Sequence, residues 1–218
     1  MPQGNYIIDL SHHNATADFN VAKSAGVVGV LHKATQGTSY VDPRLSERRT
    51  AAKAAGLYWG SYHFGTGVDG VAQADFYLAT ATPDADELMV LDLEENTQGP
   101  SMTLDQARAF VSRVLDQTGR LPGVYGGAYI SELLQESGDS LLGSCWLWLA
   151  AYVDTPHIPS AWERWTLWQY TDGLHGPEPR EIEGLGFVCD CSKFNGSPEE
   201  FEQFWTGAVS NGAISSED

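Results

Sequence analysis

Residues 88–96 read LMVLDLEEN. Leu88 to Leu91 are apolar on both alternating faces, as a strand covered on both sides requires. The chain then sets Asp92 and Glu94 two positions apart and follows them with Glu95 and Asn96. Period-two alternation puts Asp92 and Glu94 on one face, their Cα atoms roughly 6.5–7 Å apart. Glu95 falls on the opposite face, in a structural or solvated role. Buried carboxylates are costly unless paired or put to work, so a core strand that ends in two of them needs an explanation.

Working outward, similar apolar runs stand at 6–10, 27–34 and 57–64 before this strand. Others follow it at 122–127, 145–152, 165–170 and 186–191. Helical patterns fill the early gaps. In DPRLSERRTAAKAAG, Asp42 is the expected N-cap, Pro43 the first helical residue and Gly56 the stop. The segment from Thr103 carries a capping box with Gln106 and an apolar stripe of Leu104, Ala107, Val111, Val114 and Leu115, closed by Gly119. Shorter helices are expected over 18–25, 69–81 and 128–137. A last helix starts at Ser197 with Pro198 and Glu200. The first six strands start on the order of 20–30 residues apart, enough for a crossover helix, whereas the later gaps are rich in Pro and Gly without helical period. The reading is an α/β fold, a modified TIM-type barrel of five β/α units followed by three β-strands. An open doubly wound sheet is the alternative, but no Gly-rich phosphate loop follows the first strand. One barrel domain is expected over residues 1–207, with a flexible tail over 208–218.

The chain has 218 residues, 42% of them hydrophobic and 11% aromatic, which permits a sizeable core. Seven Trp and nine Tyr serve packing first and, where exposed in a cleft, the faces and hydroxyls of sugars. Twelve basic against 29 acidic side chains give a net charge of −17, which argues against nucleic-acid partners and against attraction to an anionic membrane. No segment reaches the roughly 20 apolar residues of a membrane span. Three cysteines make no disulfide framework. Cys189 and Cys191 flank Asp190 and, on a strand, point away from its face as buried thiols.

Barrel active sites lie at the C-terminal ends of the strands. Those ends carry Asp9, Lys33, Tyr62 with His63, Asp92 with Glu94, Tyr125, Tyr152, Trp168 with Tyr170, and Asp190. Crowded carboxylates cannot all ionise at their usual pKa, so one holds its proton near neutral pH. A carboxylic acid beside a carboxylate is the pair that cleaves glycosidic bonds. A barrel salt bridge to Lys33 would also account for an isolated D-x-E, but not for Asp9 and Asp190 at the same rim. A metal site would need His12, His13 and His63 to converge with the acids. The glycosidase reading needs no metal and no cofactor. His32, His157 and His175 are expected in packing or on the surface.

Eight blocks in order carry a family resemblance: DLSHHN at 9–14, KATQGTSYVDP at 33–43, GSYHFG at 60–65, LDLEEN at 91–96, GVYGG at 123–127, LWLAAY at 147–152, WQYTD at 168–172 and DCSKFNG at 190–196. From Tyr6 to Gly196 the chain resembles the glycoside hydrolase family 25 lysozymes. The resemblance implies their barrel and cleavage of the β-1,4 bond between N-acetylmuramic acid and N-acetylglucosamine in bacterial peptidoglycan. It implies Glu94 as catalytic acid, with Asp92 either orienting the substrate N-acetyl group as an internal nucleophile or positioning water. Asp9 and Asp190 match the other cleft acids, Tyr62 and Tyr125 match tyrosines near the reacting sugar, and Trp168 fits a stacking wall. Lys33 and Tyr152 complete the expected substrate contacts. Gln36 stands where the family often has Glu, and Cys189 and Cys191 stand where it has hydrophobic residues. No wall-binding module is legible after Gly207.

Three other readings remain: a catalytically silent carbohydrate-binding barrel, a metal-dependent hydrolase, and a barrel glycosidase acting on chitin. The expected setting is a monomer acting on the cell wall, outside the cell or in the periplasm. The N-terminus shows neither a basic nor an apolar signal region, so phage-type release, specialised export or a previously removed leader are the expected routes.

Overall fold

Short apolar runs become the strands of one sheet, and the amphipathic stretches between them become its cover. The computed structural model describes residues 5–14, 17–135, 138–185 and 189–207. Its strands are β1 (Tyr6–Leu10), β2 (Val27–Gln36), β3 (Tyr40–Val41), β4 (Tyr58–Phe64), β5 (Leu88–Asp92), β6 (Gly123–Gly126), β7 (Trp146–Ala150), β8 (Leu167–Thr171) and β9 (Asp190–Phe194). Its helices are α1 (Phe19–Ser24), α2 (Leu45–Ala54), α3 (Gly70–Ala81), α4 (Leu104–Thr118), α5 (Ala128–Leu134), α6 (Ser140–Ser144) and α7 (Pro198–Thr206).

Eight strands close in the order β1-β2-β4-β5-β6-β7-β8-β9, with β9 returning to β1. All neighbours are parallel except β9, which runs antiparallel to both β8 and β1. The short β3 pairs antiparallel with the end of β2. Five β/α units followed by three loop-joined strands match the spacing of the apolar runs. The local signals for α4 and α7 hold as well: both open with full capping boxes, on Thr103 with Gln106 and on Ser197 with Glu200. Gly119 closes α4 at φ 69°, a left-handed turn that glycine makes without steric penalty.

Two local expectations are corrected, and two short elements are added. Helix α2 begins at Leu45, not at Pro43, because the Asp42 carboxylate is spent on the backbone N–H groups of Arg44 and His12 and on the His12 ring. β3 and α6 carry no signal strong enough to be read in advance; both are short. The last strand runs over Asp190–Phe194 instead of 186–191. Residues 186–188, the end of the expected helix at 136–137 and the tail 208–218 lie outside the described residues.

Two apolar layers hold the barrel. Inside, Ile7, Leu31, Leu88, Val90, Tyr125, Trp148 and Leu167 pack together with Phe201 and Trp205 of α7, which plugs the mouth where the parallel strands begin. Trp205 donates its indole N–H to the Trp59 carbonyl at 2.9 Å. Gly29 makes room for that ring, since a Cβ there would sit 2.8 Å from Trp205 Cη2. Truncating a ring so enclosed costs about 3–5 kcal/mol. Outside, alternate strand residues such as Ile8, Val30, Leu91 and Val124 belong to one apolar layer with Phe19 and Ala22 of α1, Tyr77 of α3, and Phe110 and Val114 of α4. The inward residues near the other mouth, beyond the inner apolar layer, include Asp9, Asp92, Gln169 and Asp190.

Candidate active site

Asp9 reaches the barrel interior because it shares the inward face of β1 with Ile7. Asp92 shares the inward face of β5 with Leu88 and Val90. Glu94 follows two residues later, kept in step by the Leu93 N–H bond to the Tyr125 carbonyl at 2.8 Å. Glu95 is solvent-exposed. Asp190 begins β9 instead of ending a strand, yet the antiparallel direction of β9 brings its start to the rim where β1 ends. Asp9 and Asp190 are direct partners in the register.

These acids line one cavity of about 260 Å³ with Tyr62, Tyr125 and Tyr152. Three residues not picked from the sequence join them: Trp148, Gln169 and Asp172. Trp168 does not. It belongs to the outer layer, lies tilted against Trp165 at 5.6 Å between ring centroids, and donates its N–H to the Ala151 carbonyl at 2.7 Å. Its sequence neighbour Gln169 faces inward in its place. Lys33 stands beside the cavity, half-buried, with Nζ donating to Gln36 Oε1 at 2.7 Å and lying 4.9 Å from the Phe64 ring centroid. Its charge faces Asp92 and Glu94, while burial lowers its pKa.

Burial dominates the electrostatics. It raises Asp9, with the Asp190 charge adding to it, and pushes Asp190 up to about 6. Burial and then the Glu94 charge hold Asp92 well above the usual carboxylate range. Glu94 is raised too, by burial first, while its contact with Asp92 works in the opposite sense. Thus crowding by neighbours is secondary to loss of water. Asp92 Oδ1 is buried and, among the described residues, has no hydrogen-bond donor. A buried acceptor left bare costs about 1–3 kcal/mol, and such an atom invites a donor from a bound molecule.

The histidines lie elsewhere. His63 is buried on the outer side between Thr35 Oγ1 at 2.7 Å and Gln73 Oε1 at 3.1 Å. His12 pairs with Asp42 at 3.0 Å and with the Tyr40 hydroxyl at 2.8 Å. Among the described residues no group of three or more His, Cys, Asp or Glu side chains is disposed to hold a metal ion. Cys189 and Cys191 are free, buried on the face opposite Asp190, with their sulfurs 3.2 Å apart.

The family model described as glycosyl hydrolases family 25 matches residues 8–178. Lysozyme M1 of Streptomyces globisporus is 31% identical over 204 residues, covering 87% of this chain and 67% of its own. An N,O-diacetylmuramidase of Chalaropsis sp. is 32% identical over 182 residues, covering 75% of this chain and 86% of its own. The crystal structure of the bacterial lysozyme from Streptomyces coelicolor superposes with a TM-score of 0.85 at 28% identity, covering 96% of this chain and all of that one.

Proposed function

The chain belongs to glycosyl hydrolases family 25, and on that premise we propose that Glu94 is the acid that breaks its substrate's glycosidic bond. The protein is a glycoside hydrolase of the lysozyme type, cleaving peptidoglycan at muramic acid linkages. The observation that carries the assignment of residues is the meeting of Asp9, Asp92, Glu94 and Asp190 in one cavity, with burial raising all four.

Asp92 and Glu94 share a proton that burial retains toward neutral pH, and Lys33 offsets the pair's remaining negative charge. An N–H from the substrate's acetamido group supplies Asp92 Oδ1 with the donor it lacks. That contact favours the ionised form of Asp92 and shifts the proton to Glu94, beside the bridging oxygen. Glu94 then protonates the leaving oxygen of the β-1,4 bond between N-acetylmuramic acid and N-acetylglucosamine. The Asp92 carboxylate stabilises the acetamido group as its oxygen bonds the carbon the leaving oxygen vacates; water, giving its proton to Glu94, then displaces that oxygen and leaves the reducing end. Asp9 and Asp190 bind the sugar hydroxyls, and Tyr62, Tyr125 and Tyr152 form the aromatic wall above Trp148. Trp168, on the outer layer, has no part in this reading. Residues 1–207 act as one catalytic domain, as a monomer, on the wall outside the cell or in the periplasm.

Digestion of purified peptidoglycan by the wild type and by Glu94→Gln, with mass spectrometry of the new reducing ends, tests this. Reducing muramic acid ends from the wild type alone are expected. Cleavage by both proteins would remove Glu94 from the role. Glycan binding without cleavage by either would make the barrel a binding module.

A further inference from the structure

Gln169 is 2% exposed and stands on the inward face of β8. Its Nε2 donates to Asp9 Oδ2 at 2.8 Å. Its Oε1 accepts from the hydroxyls of Tyr125 and Tyr152, both at 2.8 Å. One amide therefore ties together β1, β6, β8 and the segment after β7. A carbonyl oxygen has two lone pairs and a phenol has one proton. Oε1 is thus saturated, and each tyrosine has spent its only proton on it. Toward the cleft both phenol oxygens present lone pairs alone.

This has a consequence for Glu94, given its reading as the acid. The groups facing it are Asp92 at the end of β5, Lys33 on β2, Tyr125 on β6, Tyr152 after β7 and Asp190 on β9. A phenol that donated to Glu94 would stabilise its carboxylate, whereas a phenol that only accepts favours the protonated form. We propose that Gln169 is the positioning residue that sets the proton order of the cleft: it consumes the hydroxyl protons of Tyr125 and Tyr152, so that Glu94 meets acceptors there, and it holds Asp9 through Oδ2. Gln169→Met frees both phenols to turn toward Glu94 as donors.

The test is the pH profile of kcat/KM on purified peptidoglycan for the wild type, Gln169→Met and Tyr125→Phe, with thermal melts to verify folding. Gln169→Met is expected to lose about tenfold or more at its optimum, and its basic limb moves to lower pH by about half a unit or more. Tyr125→Phe loses activity and its limb does not move up, because that hydroxyl was accepting from Glu94 and not donating to it. A folded Gln169→Met with the wild-type limb overturns the proposal. So does an upward-moving limb in Tyr125→Phe, a measurement that decides the matter even where Gln169→Met does not fold. Cleavage by Glu94→Gln would instead sink the reading of the acid itself.

Discussion

Strand β5 carries a buried carboxylate at each end, and the two are treated oppositely. Glu87, just before Leu88, has four donors on its two oxygens. Arg49 Nε and Lys53 Nζ reach Oε1 at 2.9 and 2.8 Å, while Arg49 Nη2 and the Asp84 N–H reach Oε2 at 2.6 and 3.2 Å. Arg120 adds bonds to the carbonyls of Ala85, Glu87 and Asp84. At the other end Asp92 has an oxygen with no donor among the described residues and a second carboxyl, Glu94, against it. The first arrangement is what stability asks of a buried charge, and the second is what chemistry asks of one. The barrel segregates them: the N-terminal mouth is plugged and paired, and the C-terminal mouth is left acidic and open.

Replacing glutamate by glutamine at both ends breaks the comparison most sharply. Glu94→Gln is expected to lose about a thousandfold or more of the cleavage rate, as befits removal of the transferred proton, with no fall in melting temperature. Glu87→Gln should keep the rate per folded molecule and lose about 2 kcal/mol in urea unfolding. A Glu94→Gln protein as unstable as Glu87→Gln would erase the distinction between the two ends.

A pH series sharpens it. Asp190 keeps its proton up to about 6 in the folded chain, against an ordinary 3.8. Between those values the folded state binds more protons than the unfolded chain, so stability falls as pH rises through the window. The wild type should therefore lose about 1–3 kcal/mol more than Asp190→Asn between pH 4 and pH 7. Equal losses in denaturant titrations would mean that the open mouth carries no such strain. The smallest effect belongs to a site at neither mouth's chemistry. Thr103→Ala removes the α4 cap for about 1 kcal/mol and should leave the rate unchanged. A lowered rate would show that the helical cover is coupled to the cleft.

The sequence itself determined the architecture, because strand count, helix caps and the change of spacing after the sixth strand are local properties. It also placed Asp9, Asp92, Glu94 and Asp190, since a carboxylate inside an apolar run is conspicuous. It did not reveal which way WTLWQY faces: both sides of a barrel strand are apolar, so Trp168 and Gln169 look equally inward. Closure of the barrel settles that parity, sending the indole out and the amide in. Nor did it reveal that β9 runs backwards, for direction is a relation between strands and leaves no mark along one. Reversal brings the start of β9 beside the end of β1, and so pairs two acids that lie 181 positions apart in the chain. The fold was legible because hydrophobic period and capping act between near neighbours. The proton-bearing network was not, because it is made of groups that meet only when the sheet closes.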